Sequence, residues 1–388
     1  MAAREGVVSE GAVRDGTTRD GTTRDAVVRQ DGATGGAAPP VATPAGGASA
    51  VTRSAEHPAH PPDRPRSYYR DADGRVRRDL HPRELLEAVR SRSGTLWVDI
   101  DATNRHQHAL LEKVFNFHPL AIEDTLNPQS RVKLEEFPEH LFAIVRGVKF
   151  CENTDDPYDV ETFNQCFFLT RNVLVTTHGE QAAAVEAIAE RLDRSPDLLE
   201  RGPERLMHAV MDSSIDAYFP ILDQLDEFID GLEERVFAAF DQAALRDIFS
   251  VKRLTLTLRR HLTPQREVFN TLTNRPSRFL SPDVQVYFRD VYDHVLRIND
   301  SLDTYRELLS NTMDSYLSQV SNRVGQTTKG LTVAATLSVP FVMVSGMWGM
   351  NFDNIPLAHH PHGFAIMMAI QFALGLGLVA VLRWRRLL

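Results

Sequence analysis

The stretch GLTVAATLSVPFVMVSGMWGMNF, residues 330–352, decides the architecture, because it contains no charged side chain. As a helix rising 1.5 Å per residue it is long enough to cross the ~30 Å hydrocarbon core of a bilayer. A second uncharged run, GFAIMMAIQFALGLGLVAVL at 363–382, follows the short segment 353–362, and Gln371 is its one strongly polar residue. Two such runs at the end of a chain read as a transmembrane hairpin rather than as core helices of a soluble domain. Lys329 precedes the first run, and a basic tail, 383–388, with Arg383, Arg385 and Arg386, follows the second. Positive charge marks the cytoplasmic side, so both termini are expected in the cytoplasm, with 353–362 outside the cell membrane. Two helices cannot enclose a pore, so conduction through such a hairpin requires several copies.

Outside the hairpin the chain is polar. The 388 residues are 43% hydrophobic and 24% charged, with a mean hydropathy of −0.26. That is too polar for a protein built mostly of membrane helices and too apolar for a disordered one. The net charge of −9 argues against nucleic acid as a partner, since phosphates call for a basic face. The two cysteines, Cys151 and Cys166, match no zinc or redox spacing and fit a reducing cytoplasm. Residues 1–65 repeat Arg-Asp-Gly-Thr-Thr and lack large apolar side chains to offset the entropy of ordering, so a disordered tail is expected.

From Ser67 the composition becomes globular, and an α/β cytoplasmic domain is expected over 66–200. Asp73-Gly74 reads as a turn, and 95–100 (TLWVDI), 141–150 (LFAIVRGVKF) and 167–177 (FFLTRNVLVTT) read as strands, the last folded at Arg171-Asn172. Helices are expected around 82–91 and 104–115. Beyond Gly179 strand signals stop. The pattern predicts a helix at 180–192 and a hairpin of helices over 201–280. Its first helix runs unbroken over 204–240 with an acidic face of Asp223, Asp226, Glu227, Asp230, Glu233 and Glu234. Its second, basic, covers 242–272. A stalk helix over 281–329 opens at Ser281-Pro282 and meets no further proline until Pro340. Val291, Val295, Ile298, Leu302, Tyr305, Leu309, Met313, Tyr316 and Val320 recur every three or four residues along it. This heptad-like seam, roughly 45 Å long, is expected to hold copies of the chain together.

Trp348-Gly349-Met350-Asn351-Phe352 closes the first span and resembles the aromatic-Gly-Met-Asn signature of the CorA family of divalent-cation transporters. His118-Pro119-Leu120-Ala121-Ile122-Glu123-Asp124, Arg131-Val132-Lys133 and YFRDVYDH at 287–294 are similar to further segments of that family. The resemblance covers roughly 67–388. It implies a CorA-like homo-oligomeric funnel, in which an α/β cytoplasmic domain is followed by long helices and a two-helix C-terminal transmembrane hairpin. It also implies a homopentamer in the lipid bilayer of the cell (inner) membrane that carries divalent cations, usually Mg²⁺ and often Co²⁺ or Ni²⁺. No enzyme activity and no organic cofactor are implied.

By the same resemblance Gly349, Met350 and Asn351 form the selectivity filter, while Thr328, Leu331, Val339, Val342 and Gly346 line the pore. Mg²⁺ gives up its water reluctantly, and a ring of neutral carbonyl and amide oxygens accepts hydrogen bonds from the hydrated ion without stripping it. Gly and Asn are also common at helix C-caps. Entry needs no ATP, because a divalent ion moving inward gains about 4.6 kcal/mol per 100 mV, twice the single-charge value. Intracellular Mg²⁺ is implied as the regulator, bound between Glu123 and Asp124 of one subunit and Asp290 on its neighbour's stalk. Facing carboxylates repel unless a cation bridges them.

The sequence departs from the family pattern at several points. Gly325 and Thr328 stand where Asn and Met are usual, Val339 where a Met is common, and Val342 for a pore Thr. The outer loop carries Asp353 as its only acid, followed by His359, His360 and His362. Imidazole suits Zn²⁺, Ni²⁺ and Co²⁺ better than Mg²⁺, so these four are a candidate outer-loop metal site. A ZntB-like Zn²⁺ transporter is the alternative within this class. A membrane-anchored cytoplasmic binding domain is the alternative of another class. The chain has no P-loop, Gly-x-Gly-x-x-Gly, Gly-x-Ser-x-Gly or His-Glu-x-x-His motif, and nothing fixes His178 and Cys166 as a nucleophile pair.

Overall fold

The computed structural model describes residues 64–151, 160–179, 182–238, 242–351, 355–357 and 359–385. The expected tail up to residue 63, Asp353 of the outer loop and Arg386 lie outside the described residues. β1 (Arg66–Arg70) pairs antiparallel with β2 (Val76–Arg78). Gly74, in the turn between them, holds φ +83°, the left-handed backbone that glycine adopts without strain. α1 (Pro82–Ser91) begins on a capping box, with His81 accepting from the Arg83 amide and Glu84 from the His81 amide. β3 (Thr95–Asp101), two short turns α2 (Arg105–His108) and α3 (Leu110–Lys113), and α4 (Pro119–Leu126) follow. β4 (Lys133–Glu136), β5 (Leu141–Phe150), β6 (Val160–Leu169) and β7 (Val173–His178) complete the sheet.

Among the described residues the sheet has seven strands in the order β2-β1-β3-β7-β6-β5-β4, and its β3–β7 pair is parallel. Strand alternation divides the apolar side chains between two faces. Leu96, Val98, Ile100, Phe142, Ile144 and Phe168 pack beneath α1, α3 and α4. Trp97, Ala143, Val145, Phe167 and Leu174 face the opposite layer, formed by α5 (Ala183–Arg194), α6 (Asp197–Glu200) and α7 (Pro203–Asp216). Gly147 lies opposite Phe163 in the β5–β6 register, and a Cβ there would sit 2.6 Å from the ring.

The second core runs on without interruption into α8 (Phe219–Ala238), α9 (Gln242–Asn274) and α10 (Pro282–Trp348). The helix expected over 204–240 is broken at Ala217-Tyr218 into α7 and α8. Pro220 gives the reason: its ring has no N–H and collides with the carbonyl four residues back, that of Asp216. The break has a use. Tyr218, fully buried, donates to the Arg146 carbonyl of β5 at 2.9 Å and receives the Gln265 amide of α9 at 3.3 Å. This joint fastens the sheet to the helices. β4 and α6 give no clear sequence signal, since KLEE has no apolar alternation and α6 is a single turn.

α10 is 67 residues long, about 100 Å of helix. Its seam is spent within the chain rather than between copies, which corrects the sequence expectation. Val291, Val295, Ile298, Leu302 and Leu309 are buried in the core shared with α7, α8 and α9. Polar ties flank them: Tyr305 donates to the Leu222 carbonyl at 3.2 Å, Thr312 to Glu233 at 3.1 Å and Gln319 to the Val236 carbonyl at 2.6 Å. Arg235 and Asp247 pair at 2.7 Å where α8 meets α9, in line with the opposite charge of those helices. Above Val320, α10 leaves this support and runs with α11 (Gly363–Trp384) as two helices long and apolar enough to span a membrane.

Candidate functional site

In the upper part of α10 the residues Thr328, Leu331, Val339, Val342 and Gly346 are all exposed. At ~100° per residue they fall within about 80° of one another, a single stripe. Pro340, Phe341 and Val344, on the other side of the helix, are half-buried. There Phe341 meets Gly375 of α11. Leu331 is 72% exposed and Val342 71%, so the stripe is a largely apolar surface that no other described residue of the chain covers. The helix continues through Pro340 and ends at Trp348.

Gly349 caps α10 with φ −81° and donates its amide to the Ser345 carbonyl at 3.0 Å. That backbone is open to any residue, and a Cβ at Gly349 would meet nothing nearer than 3.4 Å. The cap therefore does not call for glycine. Met350 and Asn351 follow, both exposed at the helix end. Of the residues expected to form an outer-loop metal site, His359, His360 and His362 are exposed, and His360 accepts the His362 amide at 3.2 Å. The ring centroids of His360 and His362 are 6.1 Å apart, and the three imidazoles do not form a ligand cluster among the described residues.

The carboxylates sort differently from the sequence expectation. α4 is capped by His118, whose ring accepts the Leu120 amide at 3.3 Å. Asp124 is bound by Lys133 at 2.7 Å and by the Ser130 hydroxyl at 3.1 Å, whereas Glu123 is exposed beside the exposed Leu120 and Leu126. Within one chain Asp290 is not grouped with either. It joins Asp212 of α7 and His294 of α10, whose ligand atoms all lie within 4.8 Å of one another. Asp216 stands 3.3 Å from His294. The Asp212 Oδ1 atom is buried without a hydrogen-bond partner, and the buried His294 Nδ1 faces only the Asp216 carboxylate. Burial, followed by the charges of Asp216 and Asp290, pushes the Asp212 carboxyl above its usual range, against the pull of His294. Sequence reading missed Asp212 and His294. Asp290 and His294 are four apart, on one helix face, and that spacing was the available signal.

His178 does not pair with Cys166. Its Nε2 lies 3.1 Å from Asp99 Oδ2, and burial pushes the Cys166 thiol up to about 12, far from a nucleophile's range.

A model of the family described as CorA-like Mg²⁺ transporter protein matches residues 92–386. The chain belongs to the CorA family. The family is one of transporters, and with two span-length helices this CorA-family chain is a membrane protein. It is 29% identical over 303 residues to the cobalt/magnesium transport protein CorA of Thermotoga maritima, covering 77% of this chain and 84% of that one. The CorA magnesium transporter structure from Methanocaldococcus jannaschii matches with a TM-score of 0.71 at 22% identity, covering 82% of this chain and 97% of that one. The cytoplasmic domain of ZntB from Vibrio parahaemolyticus shares the fold at a TM-score of 0.55 and 13% identity, covering 67% of this chain and 99% of that one.

Proposed function

We propose that this CorA-family protein is a channel-like transporter for the influx of Mg²⁺, with Co²⁺ and Ni²⁺ as further cargo, in a homopentamer with both termini in the cytoplasm. The Thermotoga maritima relative is named for cobalt as well as magnesium. The observation that carries the reading is the uncovered stripe of Thr328, Leu331, Val339, Val342 and Gly346, which leads to a Gly349 that the cap does not require. Around a central axis these stripes would line a pore. At its outer end the bare Gly349 backbone lets neighbouring helices approach, and Asn351 presents neutral oxygens to a hydrated ion. Val339 is slimmer than the Met common at its position, which makes the hydrophobic constriction wider there, while Val342 has the shape of the Thr it replaces and lacks only its hydroxyl.

The regulatory part of the proposal places intracellular Mg²⁺ between subunits, with Glu123 and Asp124 of one facing Asp290 of the next. Asp212 and His294 extend the Asp290 side of this site. Imidazole widens the ions it accepts toward Co²⁺ and Ni²⁺. Binding offsets the repulsion among the carboxylates and closes the assembly, and loss of the ion loosens it.

Ion flux into liposomes holding the purified full chain tests both parts, with Mg²⁺, Co²⁺, Ni²⁺ and Zn²⁺ compared at low and high internal Mg²⁺. The expected result is Mg²⁺ uptake suppressed by internal Mg²⁺. Zn²⁺ uptake without Mg²⁺ uptake would move the protein to a ZntB-like activity. An assembled oligomer passing no ion would leave a membrane-anchored binding domain.

A further inference from the structure

A cavity of about 400 Å³ opens between α5, α6 and α7, and its charges are arranged unusually. One side carries three arginines, Arg191, Arg201 and Arg205, and none of them makes an ion pair among the described residues. Four carboxylates that neighbour these arginines in the sequence are engaged elsewhere. Glu190 binds Arg194 at 3.1 Å, Asp193 binds Arg78 at 3.1 Å, and Glu200 binds Arg70 at 3.1 Å. Glu204 accepts both the amide and the hydroxyl of Ser281 at 2.7 Å. Arg205 is held in place by stacking on Tyr287, its Cζ 3.3 Å from the ring centroid, and its Nη1 is buried with no acceptor. Guanidinium groups without counter-charge, converging on one cavity, fit the oxygens of a phosphate group.

The opposite end of the same cavity is acidic. Asp212, with its unpartnered Oδ1, lines it. A bare polyanion placed on the arginines would meet that carboxylate. A polyphosphate that carries its own divalent cation would not, because its metal lies against Asp212 while its phosphates lie against the arginines. The floor is apolar, with Ile188 and Leu198 6% and 5% exposed, and the volume is within the ~300–1,000 Å³ of small-molecule sites.

We propose that this cavity binds a magnesium-chelated di- or triphosphate, through Arg191, Arg201 and Arg205 on the phosphates and Asp212 on the metal. The proposal rests on the reading of Asp212 as a cation ligand. It makes the cytoplasmic domain a sensor of chelated as well as free Mg²⁺, since Asp212 belongs to both arrangements.

The test is calorimetric titration of the full chain in lipid nanodiscs with Mg·ATP and with Mg·tripolyphosphate, alongside ATP in excess EDTA. The double variant R191Q/R201Q is titrated in parallel. Both arginines are exposed. Saturable binding is expected, weakened at least about tenfold in the double variant and by a similar factor when EDTA removes the metal. Equal binding of the two ligands would identify the phosphates as the recognised part, and tighter Mg·ATP would identify a nucleotide seated on Ile188 and Leu198; both support the site. Absence of saturable binding, equal binding by the double variant, or equal binding in EDTA would overturn it. Failure of the regulatory reading is separate: it would appear as wild-type flux indifferent to internal Mg²⁺.

Discussion

The Gln371 amide of α11 donates to the Phe341 carbonyl of α10 at 2.8 Å and to the Ser345 hydroxyl at 3.1 Å. Gln371 is 6% exposed, so the one strongly polar side chain of the second span is turned away from lipid and onto the first. One turn further along, Gly375 lies so near Phe341 that an added Cβ would come within 2.7 Å of the ring. A small residue brings the helices together and an amide fixes their register, the usual means of packing where lipid removes the hydrophobic drive. The partner carbonyl follows Pro340 and lies just over two turns from Gly349, so the clamp sets the angle at which the Gly349 end of α10 is presented.

The clamp predicts a stability order. Gln371→Leu keeps the volume but removes both hydrogen bonds, at a cost of about 0.5–2 kcal/mol. Gly375→Val forces the helices apart and costs about 1–3 kcal/mol. Thermal unfolding of the purified protein in detergent measures both. A Gln371→Leu protein as stable as the wild type would mean that the span-to-span contact does not depend on the amide.

Gly349→Ala separates conformation from conduction. With φ −81° and no atom closer than 3.4 Å to the new Cβ, the substitution leaves α10 and its cap intact. Assembly and melting temperature are expected to match the wild type, while Mg²⁺ flux falls sharply because the methyl group occupies the space between converging backbones. Asn351→Ala is expected to reduce flux to background, again with assembly preserved. Normal flux in either variant would refute the filter assignment.

The parts of this molecule that were legible in sequence are those with a local signature. The uncharged runs announced α10 and α11, the apolar alternation of LFAIVRGVKF announced β5, and the Ser281-Pro282 start of the stalk is seen in the structure. What the seam packs against was not legible, because a heptad pattern is the same whether the partner helix is in the same chain or another. The α7–α8 break was overlooked at Pro220, where one missing N–H outweighs a continuous apolar pattern. Asp212 and His294 belong to different helices, α7 and α10, and only the tertiary fold brings them within ligand distance. The stripe residues and Asn351 are singled out by family resemblance alone, since nothing in composition separates a pore face from a lipid face.

Asp212 yields a prediction in which pH and metal compete. Its carboxyl is held above the ordinary value of 3.8 by burial and by the neighbouring acids. The folded chain therefore binds that proton more tightly than the unfolded chain. This stabilising contribution is full below the ordinary value and is lost as pH rises through the raised one. At neutral pH the uncompensated charge is a liability that a cation relieves. In EDTA at pH 7, Asp212→Asn should melt higher than the wild type. Mg²⁺ at about a hundredfold its dissociation constant should add about 2.7 kcal/mol to the wild type and much less to the variant. The metal effect should fade on acidification. An equal Mg²⁺-induced shift in both proteins at pH 7 and pH 4 would remove Asp212 from the site.

The buried Asp99 works in the opposite sense. Burial opposes its charge, but His178 at 3.1 Å and the Thr176 hydroxyl at 2.6 Å outweigh it and hold the carboxyl below its usual range. Trp97 donates to that same hydroxyl at 3.1 Å, which ties the network into the β3–β7 pair. A depressed acid contributes stability that is present above its unfolded pKa and is lost as pH falls through the folded one. Removing one partner of a buried pair costs about 3–5 kcal/mol, so Asp99→Ala should unfold well below the wild type at pH 7. Asp99→Asn keeps the shape and loses the charge. Its deficit against the wild type should be largest near neutrality and should close below pH 4, where the wild-type carboxyl takes up its own proton. A deficit that stays constant across that range would assign the loss to packing around His178 rather than to the charge.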